Sequence, residues 1–373
     1  MVRVLIPSGA LGLNYDKVAL QRGIDARPDI IAIDGGSTDS GPSYLGRGVS
    51  KYARASTKVE WAGLMDARAQ AGCPLVIGTA GTCGADAAVD WMLDITREIA
   101  AEQGRPLKIA VLRSQQNPDD MVRALAAGQI TPLSNAPEIS EQTIVRCSNI
   151  VALAGAEQIA AALETDADII IAGRTTDTAI IAALPLMEGC DAGAAWHGAK
   201  IGECGALCAT NPQSGVILVD FDDAGFTVTP LADGAHASPH TVSAHMLYEN
   251  SDPFILFEPG GHLDVTDARY TALDDTSVRV TGSKWVPSDQ YTVKLEGARP
   301  AGFQTVLMAI LRDARYVAHA AEWAADIEAK CTAKTCERLG LSVRDFNIEL
   351  RLMGQSASFG ALESRMTTPT EIG

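Results

Sequence analysis

The chain has 373 residues and a mass of 39.2 kDa, with 47% hydrophobic residues and a mean hydropathy of +0.07, which excludes a disordered chain and allows two cores. Lys and Arg total 30 against 46 Asp and Glu, a net charge of −16, so there is no basic stripe for a nucleic acid, although a small anion needs only a local site. Eight cysteines without a CxxC pair argue against a disulfide scaffold or a zinc ribbon.

The N-terminus, MVRVLIPSG, reads as a strand without a secretory apolar region, and no run of 18 uncharged apolar residues follows. The expectation is a soluble cytoplasmic protein with no membrane span. Mainly apolar runs at 2–6, 30–33, 75–77, 109–112 and 169–172 read as strands. Between them, 59–71 and 85–101 carry apolar residues at helical spacing. Asn117-Pro118-Asp119-Asp120 is a helix start, with Asn as cap, Pro in the first turn and acids after it. Strands separated by helices pair in parallel through right-handed crossovers. The fold class expected is therefore α/β: a doubly wound, mostly parallel sheet over 1–190, followed by a smaller α+β domain over 191–373 that closes over the site. In that second half, 216–220 and 226–230 read as a hairpin, 277–280 and 291–295 as strands, 303–314 and 315–331 as helical, and 347–352 as a last strand.

Three strand ends run into loops rich in glycine and hydroxyls. They are Asp34-Gly35-Gly36-Ser37-Thr38-Asp39-Ser40-Gly41-Pro42, Gly78-Thr79-Ala80-Gly81-Thr82-Cys83-Gly84 and Gly173-Arg174-Thr175-Thr176-Asp177. In a parallel sheet all three emerge at the carboxyl edge, where such folds bind ligands, and each precedes a helix whose free N–H groups favour an anion. Gly35, Gly36, Ser37, Thr79, Gly81, Thr82, Arg174, Thr175 and Asp177 are the substrate-binding candidates, with Arg174 expected to pair a substrate carboxylate. A structural turn explains each loop taken singly. Ser8-Gly9-Ala10-Leu11-Gly12 only loosely matches a dinucleotide fingerprint, and no GxxxxGK[ST] exists.

Asp34 and Asp39 flank a glycine turn and are candidates for a divalent metal (Mg or Mn), for a base, or for turn caps. Glu203 and Cys204 lie between glycines, as candidate acid/base and nucleophile. His197 is left open between a member of this cluster and a surface residue. His245 and Glu249 stand four apart on an expected helix, where they can share a proton, bind metal or form a plain ion pair. His262 has no assigned role.

Taken in series, DGGSTDSGP (34–42), GRTTD (173–177) followed by an apolar helix and Pro185-Leu186, GECG (202–205), HMLYEN-SDP (245–253), VRVTGSKW (278–285) and KLEGARPAGF (294–303) resemble the acyclic terpene utilisation (AtuA-type) family, over about residues 2–355. The resemblance implies breakdown of carboxylic acids or acyl-CoA thioesters, with a small companion subunit in some members, but no agreed catalytic residues. The expected activity is a lyase, a hydratase/dehydratase or a carbon–carbon lyase, acting on a branched hydroxy di- or tricarboxylate or its CoA thioester. Asp39, Glu203, Cys204, His245 and Glu249 are its catalytic candidates, and a homo-oligomer is expected. The alternative is a non-catalytic carboxylate- or acyl-CoA-binding subunit of a two-component enzyme. A nicotinamide-dependent oxidoreductase is the least favoured reading, for want of a clean GxGxxG.

Overall fold

The computed structural model describes residues 1–36, 40–248, 250–355 and 359–362. In chain order the strands are β1 (Val2–Ile6), β2 (Ile30–Asp34), β3 (Leu75–Gly78), β4 (Ile109–Leu112), β5 (Asn149–Ala152), β6 (Ile169–Ala172), β7 (Ile217–Phe221), β8 (Gly225–Pro230), β9 (Ile255–Glu258), β10 (Gly261–Asp264), β11 (Arg269–Ala272), β12 (Val278–Thr281), β13 (Lys284–Pro287) and β14 (Leu295–Ala298). Nine of them form one sheet in the order β11-β12-β8-β7-β1-β2-β3-β6-β4. The pairs from β1 through β2, β3 and β6 to β4 are parallel. From β1 towards β11 every pair is antiparallel. The fold is α/β, and the five apolar runs expected in the first half are its five parallel strands.

Those strands read as apolar runs because both faces are covered in all but β4, the edge strand, which is only partly buried. On one face Val4, Ile6, Ala32, Val76, Ile170 and Ala172 share a core with the helices Ala156–Leu163, Ala179–Met187 and Ala192–Gly202. On the other, Leu5, Ile31, Ile33, Leu75, Ile77 and Ile171 pack under Lys17–Asp25, Arg54–Ala71 and Asp86–Gln103. Local chemistry sets the helix starts. Asp16 accepts hydrogen bonds from the N–H groups of Val18 and Ala19, and Asn117 accepts from Asp119 before the helix Pro118–Ala126.

The boundary expected at 190 is not where the chain divides. One compact unit runs from Met1 to Pro300 and a second from Ala301 to Gly373. The reason is β7, which pairs with β1 over five residues and so extends the first sheet into the second half of the sequence. β5 and β14, whose paired residues Ala152 and Leu295 lie 143 positions apart, form a two-stranded sheet of their own. β13, β10 and β9 form a three-stranded one.

Three second-half expectations change. The strand expected at 291–295 begins only at Leu295. Residues 303–310 and 347–352 lie in no regular element. Phe303, Leu307 and Ile310 are exposed, so the apolar stripe that suggested a helix has no packing to stabilise one. In the second unit the helices are Ala314–Ala318 and Ala320–Leu339.

Candidate functional site

The parallel half of the sheet ends in loops that are joined directly to one another. Gly35 N–H donates to the Gly78 carbonyl at 2.7 Å, and Thr82 N–H to the Gly35 carbonyl at 3.0 Å. Thr79 N–H donates to the Gly173 carbonyl at 2.9 Å. The loop after β1 joins them through Leu11 N–H and the Asp34 carbonyl, at 2.7 Å. Gly84 shows why the sequence is glycine-rich here: φ is +63°, and a Cβ would stand 2.2 Å from the Arg174 nitrogen. Thr79 and Thr82, both buried, hold φ of +45° and +76°. Branched side chains are strained there, at a cost of about 1–3 kcal/mol each, and such strain gathers at functional sites.

Arg174 ties this edge together from inside. Its Nε and Nη2 donate to the two oxygens of Glu296 on β14, at 3.0 and 3.1 Å. Its Nη1 donates to Thr79 Oγ1 at 3.1 Å and to the Thr175 carbonyl at 3.0 Å, with Asp177 at 3.4 Å. Burial alone would lower the guanidinium's pKa, but Glu296, Asp177 and Asp34 more than reverse it. The expectation that Arg174 grips a substrate carboxylate is therefore corrected: its fork is occupied by the protein's own Glu296, in the bidentate geometry arginine favours. It positions the loops.

The helix Ala192–Gly202 delivers the next groups. Lys200, in its last turn, forms an ion pair with Glu203, and both are buried. Burial pushes the Glu203 carboxyl up, and Asp177 and Glu258 add to this, against the opposing pull of Lys200. Glu258, at the end of β9, accepts from Thr178 Oγ1 at 2.7 Å, and burial pushes its pKa up to about 7. Asp34, also buried, is raised well above the usual carboxylate range by desolvation and by Asp177, despite Arg174. Asp34, Asp177, Glu203 and Glu258 thus share one field with Arg174 and Lys200. Four buried atoms here have no hydrogen-bond partner among the described residues: Asp34 Oδ1, Thr175 Oγ1, His245 Nε2 and Glu258 Oε2. Buried polar groups are nearly always paired, so orphans gathered in one cluster mark where a ligand or ordered water is bound.

The structure brings Gly35, Gly36, Thr79, Gly81, Thr82, Arg174, Thr175, Asp177, Asp34 and Glu203 to one edge. Cys204, half-buried, lies beside Lys200, and a Cβ at Gly9 would meet its carbonyl at 3.0 Å. His245 is buried at the same end, with its pKa pushed down to about 4 by burial and by Lys200. Its helix, Pro239–His245, stops at this residue. Ser37, Asp39 and Glu249 lie outside the described residues. Of the expected metal pair only Asp34 is described, and among the described residues no group of three His, Cys, Asp or Glu side chains is placed to hold a metal ion. His197 is not a surface residue. It is fully buried, 2.7 Å from Ser283 Oγ and 3.2 Å from the Tyr270 hydroxyl, and burial pushes its pKa down to about 3. His262 sits on β10 against Phe257.

Lys200, Glu258 and Glu296 were missed as site residues. Lys200 had a signal, since it stands three residues before Glu203, the spacing of an ion pair wherever the chain is helical. Glu258 and Glu296 had none in their local spacing, because tertiary packing alone brings them to this edge.

The fold and this edge define a doubly wound α/β protein with a buried cluster of acids and cations at the carboxyl edge of its parallel strands. Comparison with known families assigns it further. The model for "Acyclic terpene utilisation family protein AtuA" matches residues 64–349, and the chain belongs to that family. The matched span contains Arg174, Lys200, Glu203, Glu258 and Glu296, whereas the 34–42 loop precedes it. No curated protein and no solved structure matches the chain.

Proposed function

We propose that this chain is an acid–base lyase acting on a hydroxyl-bearing carboxylic acid or its CoA thioester, in the cytoplasm. The observation that carries the reading is the pairing of Glu203 and Glu258, two buried carboxyls raised towards neutrality, with Lys200 beside them. Groups held near the working pH can both give and take a proton. In dehydration, one carboxylate takes the α-proton while the other carboxylic acid protonates the departing hydroxyl. The products are water and a carbon–carbon double bond. In carbon–carbon cleavage, the base takes the hydroxyl proton, the bond breaks to a carbonyl and an enolate, and the acid returns a proton to the enolate carbon. In either case the Lys200 ammonium offsets the negative charge that develops on the substrate.

The test is proton NMR of the protein with branched 3-hydroxy acids such as citramalate and 3-hydroxy-3-methylglutarate. Each is offered free and as the CoA thioester, with and without Mg²⁺ or Mn²⁺. New vinyl protons mean dehydration, and new acetate or acetyl-CoA means carbon–carbon cleavage. E203Q and E258Q are each expected to lose about a hundredfold or more in rate. Turnover unchanged in both variants would sink these assignments. No turnover at all would favour a carboxylate- or acyl-CoA-binding subunit that works with a small companion.

A further inference from the structure

Residues 40–59 hold four cations and no acid, in a chain whose net charge is −16. Two of the four are accounted for: Arg54 pairs with Glu98, and Lys58 with Glu98 and Glu102. The other two, Arg47 and Lys51, are exposed and form no ion pair with a described carboxylate. Each lies instead against a tyrosine. The Arg47 guanidinium is 5.6 Å from the Tyr44 ring centre, and Lys51 Nζ is 5.7 Å from that of Tyr52. The Tyr52 hydroxyl is raised by burial first, then by Glu60, Asp34 and Tyr44, so the two phenols share one field with Asp34. This segment is anchored to the ligand edge: Lys51 N–H donates to Thr82 Oγ1 at 3.1 Å, and the Tyr52 ring covers Gly12.

The interior of that edge is a poor host for phosphate. Among the described residues, Asp34, Asp177, Glu203, Glu258 and Glu296 outnumber the cations Arg174, Lys200 and Lys294 there, and the fork of Arg174 is occupied. The rim has the opposite chemistry, with two cations that pair with no described carboxylate and two aromatic faces. We propose that Arg47, Lys51, Tyr44 and Tyr52 form a subsite for the adenine- and phosphate-bearing end of a nucleotide-type ligand, the chemistry shared by CoA thioesters and nucleoside diphosphates. Arginine and lysine recognise phosphate oxygens, and a tyrosine ring backed by a cation stacks on a base. The inference rests on the proposed function only for the acyl group at the other end, which the acidic interior would receive.

Binding to the full chain is measured by calorimetry at low and moderate salt, with CoA, ADP and inorganic phosphate as probes. CoA and ADP are expected to bind, and R47Q/K51Q to weaken each by about tenfold or more, as loss of two phosphate contacts requires. The control R54Q/K58Q is expected to bind as the parent does. CoA binding well above ADP identifies a CoA-type ligand, and equal binding identifies a free nucleotide. Three results would overturn the subsite: neither CoA nor ADP binds, R47Q/K51Q binds within twofold of the parent, or phosphate competes as well as ADP. None of them depends on turnover, so failure of the lyase reading leaves this test intact. If the lyase reading also holds, R47Q/K51Q raises KM for the thioester but not for the free acid.

Discussion

At the scale of single residues, two buried titratable groups oppose each other in their effect on stability. Glu258 is raised from 4.5 to about 7 by burial. Between those values the folded chain keeps a proton that the unfolded chain has lost. Its contribution is therefore fully present below pH 4.5 and is lost as the pH rises through 7. His197 has the reverse sign. Lowered from 6.5 to about 3 by burial, it contributes fully above pH 6.5, and the contribution is lost as the pH falls towards 3. E258Q is accordingly expected to gain on the order of 1–3 kcal/mol over the parent at pH 8 and little at pH 4. Urea midpoints at the two pH values give the answer, and an equal effect at both would refute the raised pKa. H197Q is expected to lose less stability on acidification from pH 6.5 to 4 than the parent does. The sequence left the role of His197 open, because the partners that bury it, Ser283 and Tyr270, lie 86 and 73 residues away in the chain.

Elements meet through the Arg174–Glu296 pair and through the glycines of the loops. Glu296 sits on β14, which pairs with β5, and it anchors that small sheet to the loop after β6. E296Q keeps the shape but leaves a buried guanidinium without its bidentate carboxylate. A loss of about 3 kcal/mol is expected in chemical denaturation. A loss below about 1 kcal/mol would mean that Asp177 and the loop oxygens suffice. Gly84 and Gly104 have nearly the same φ, +63° and +62°, but different surroundings: a Cβ at Gly84 meets the Arg174 backbone at 2.2 Å, while one at Gly104 has nothing within 4 Å. G104A is expected to cost about 1 kcal/mol and G84A at least about 2 kcal/mol more. Similar costs would show that the loops are not packed as described. The glycines themselves were legible in the sequence as close-approach positions. Arg174's partner was not, since Glu296 lies 122 residues away.

For the whole molecule, the nine-stranded sheet decides where the chain can be cut. A fragment ending at 190 would leave β1 without β7, and β5 without β14. It would also strip the helix Ala192–Gly202 from the core it shares with Val4, Ile6 and Ala172. Residues 1–300 are expected to unfold in one cooperative urea transition, whereas 1–190 is expected to show no cooperative transition and to aggregate through its exposed strand edge. A cooperative transition for 1–190 would restore the boundary near 190.

The sequence by itself determined the five parallel strands, the helices between them and the loops at the strand ends. Continuous apolar runs, helical spacing and glycines beside hydroxyls are local consequences of covered faces, buried stripes and tight turns. It also determined family membership, through motifs spread along the chain. Only the tertiary structure decided the rest. β7 entered the first sheet and moved the boundary, because antiparallel pairing with β1 depends on an edge that no local pattern announces. Arg174 became an internal strap, because Glu296 reached its fork before any ligand could. Glu203 acquired Glu258 as a neighbour and Lys200 as a partner because the ends of a helix and of β9 converge on one strand edge, and burial there holds carboxyls of ordinary sequence context near neutrality.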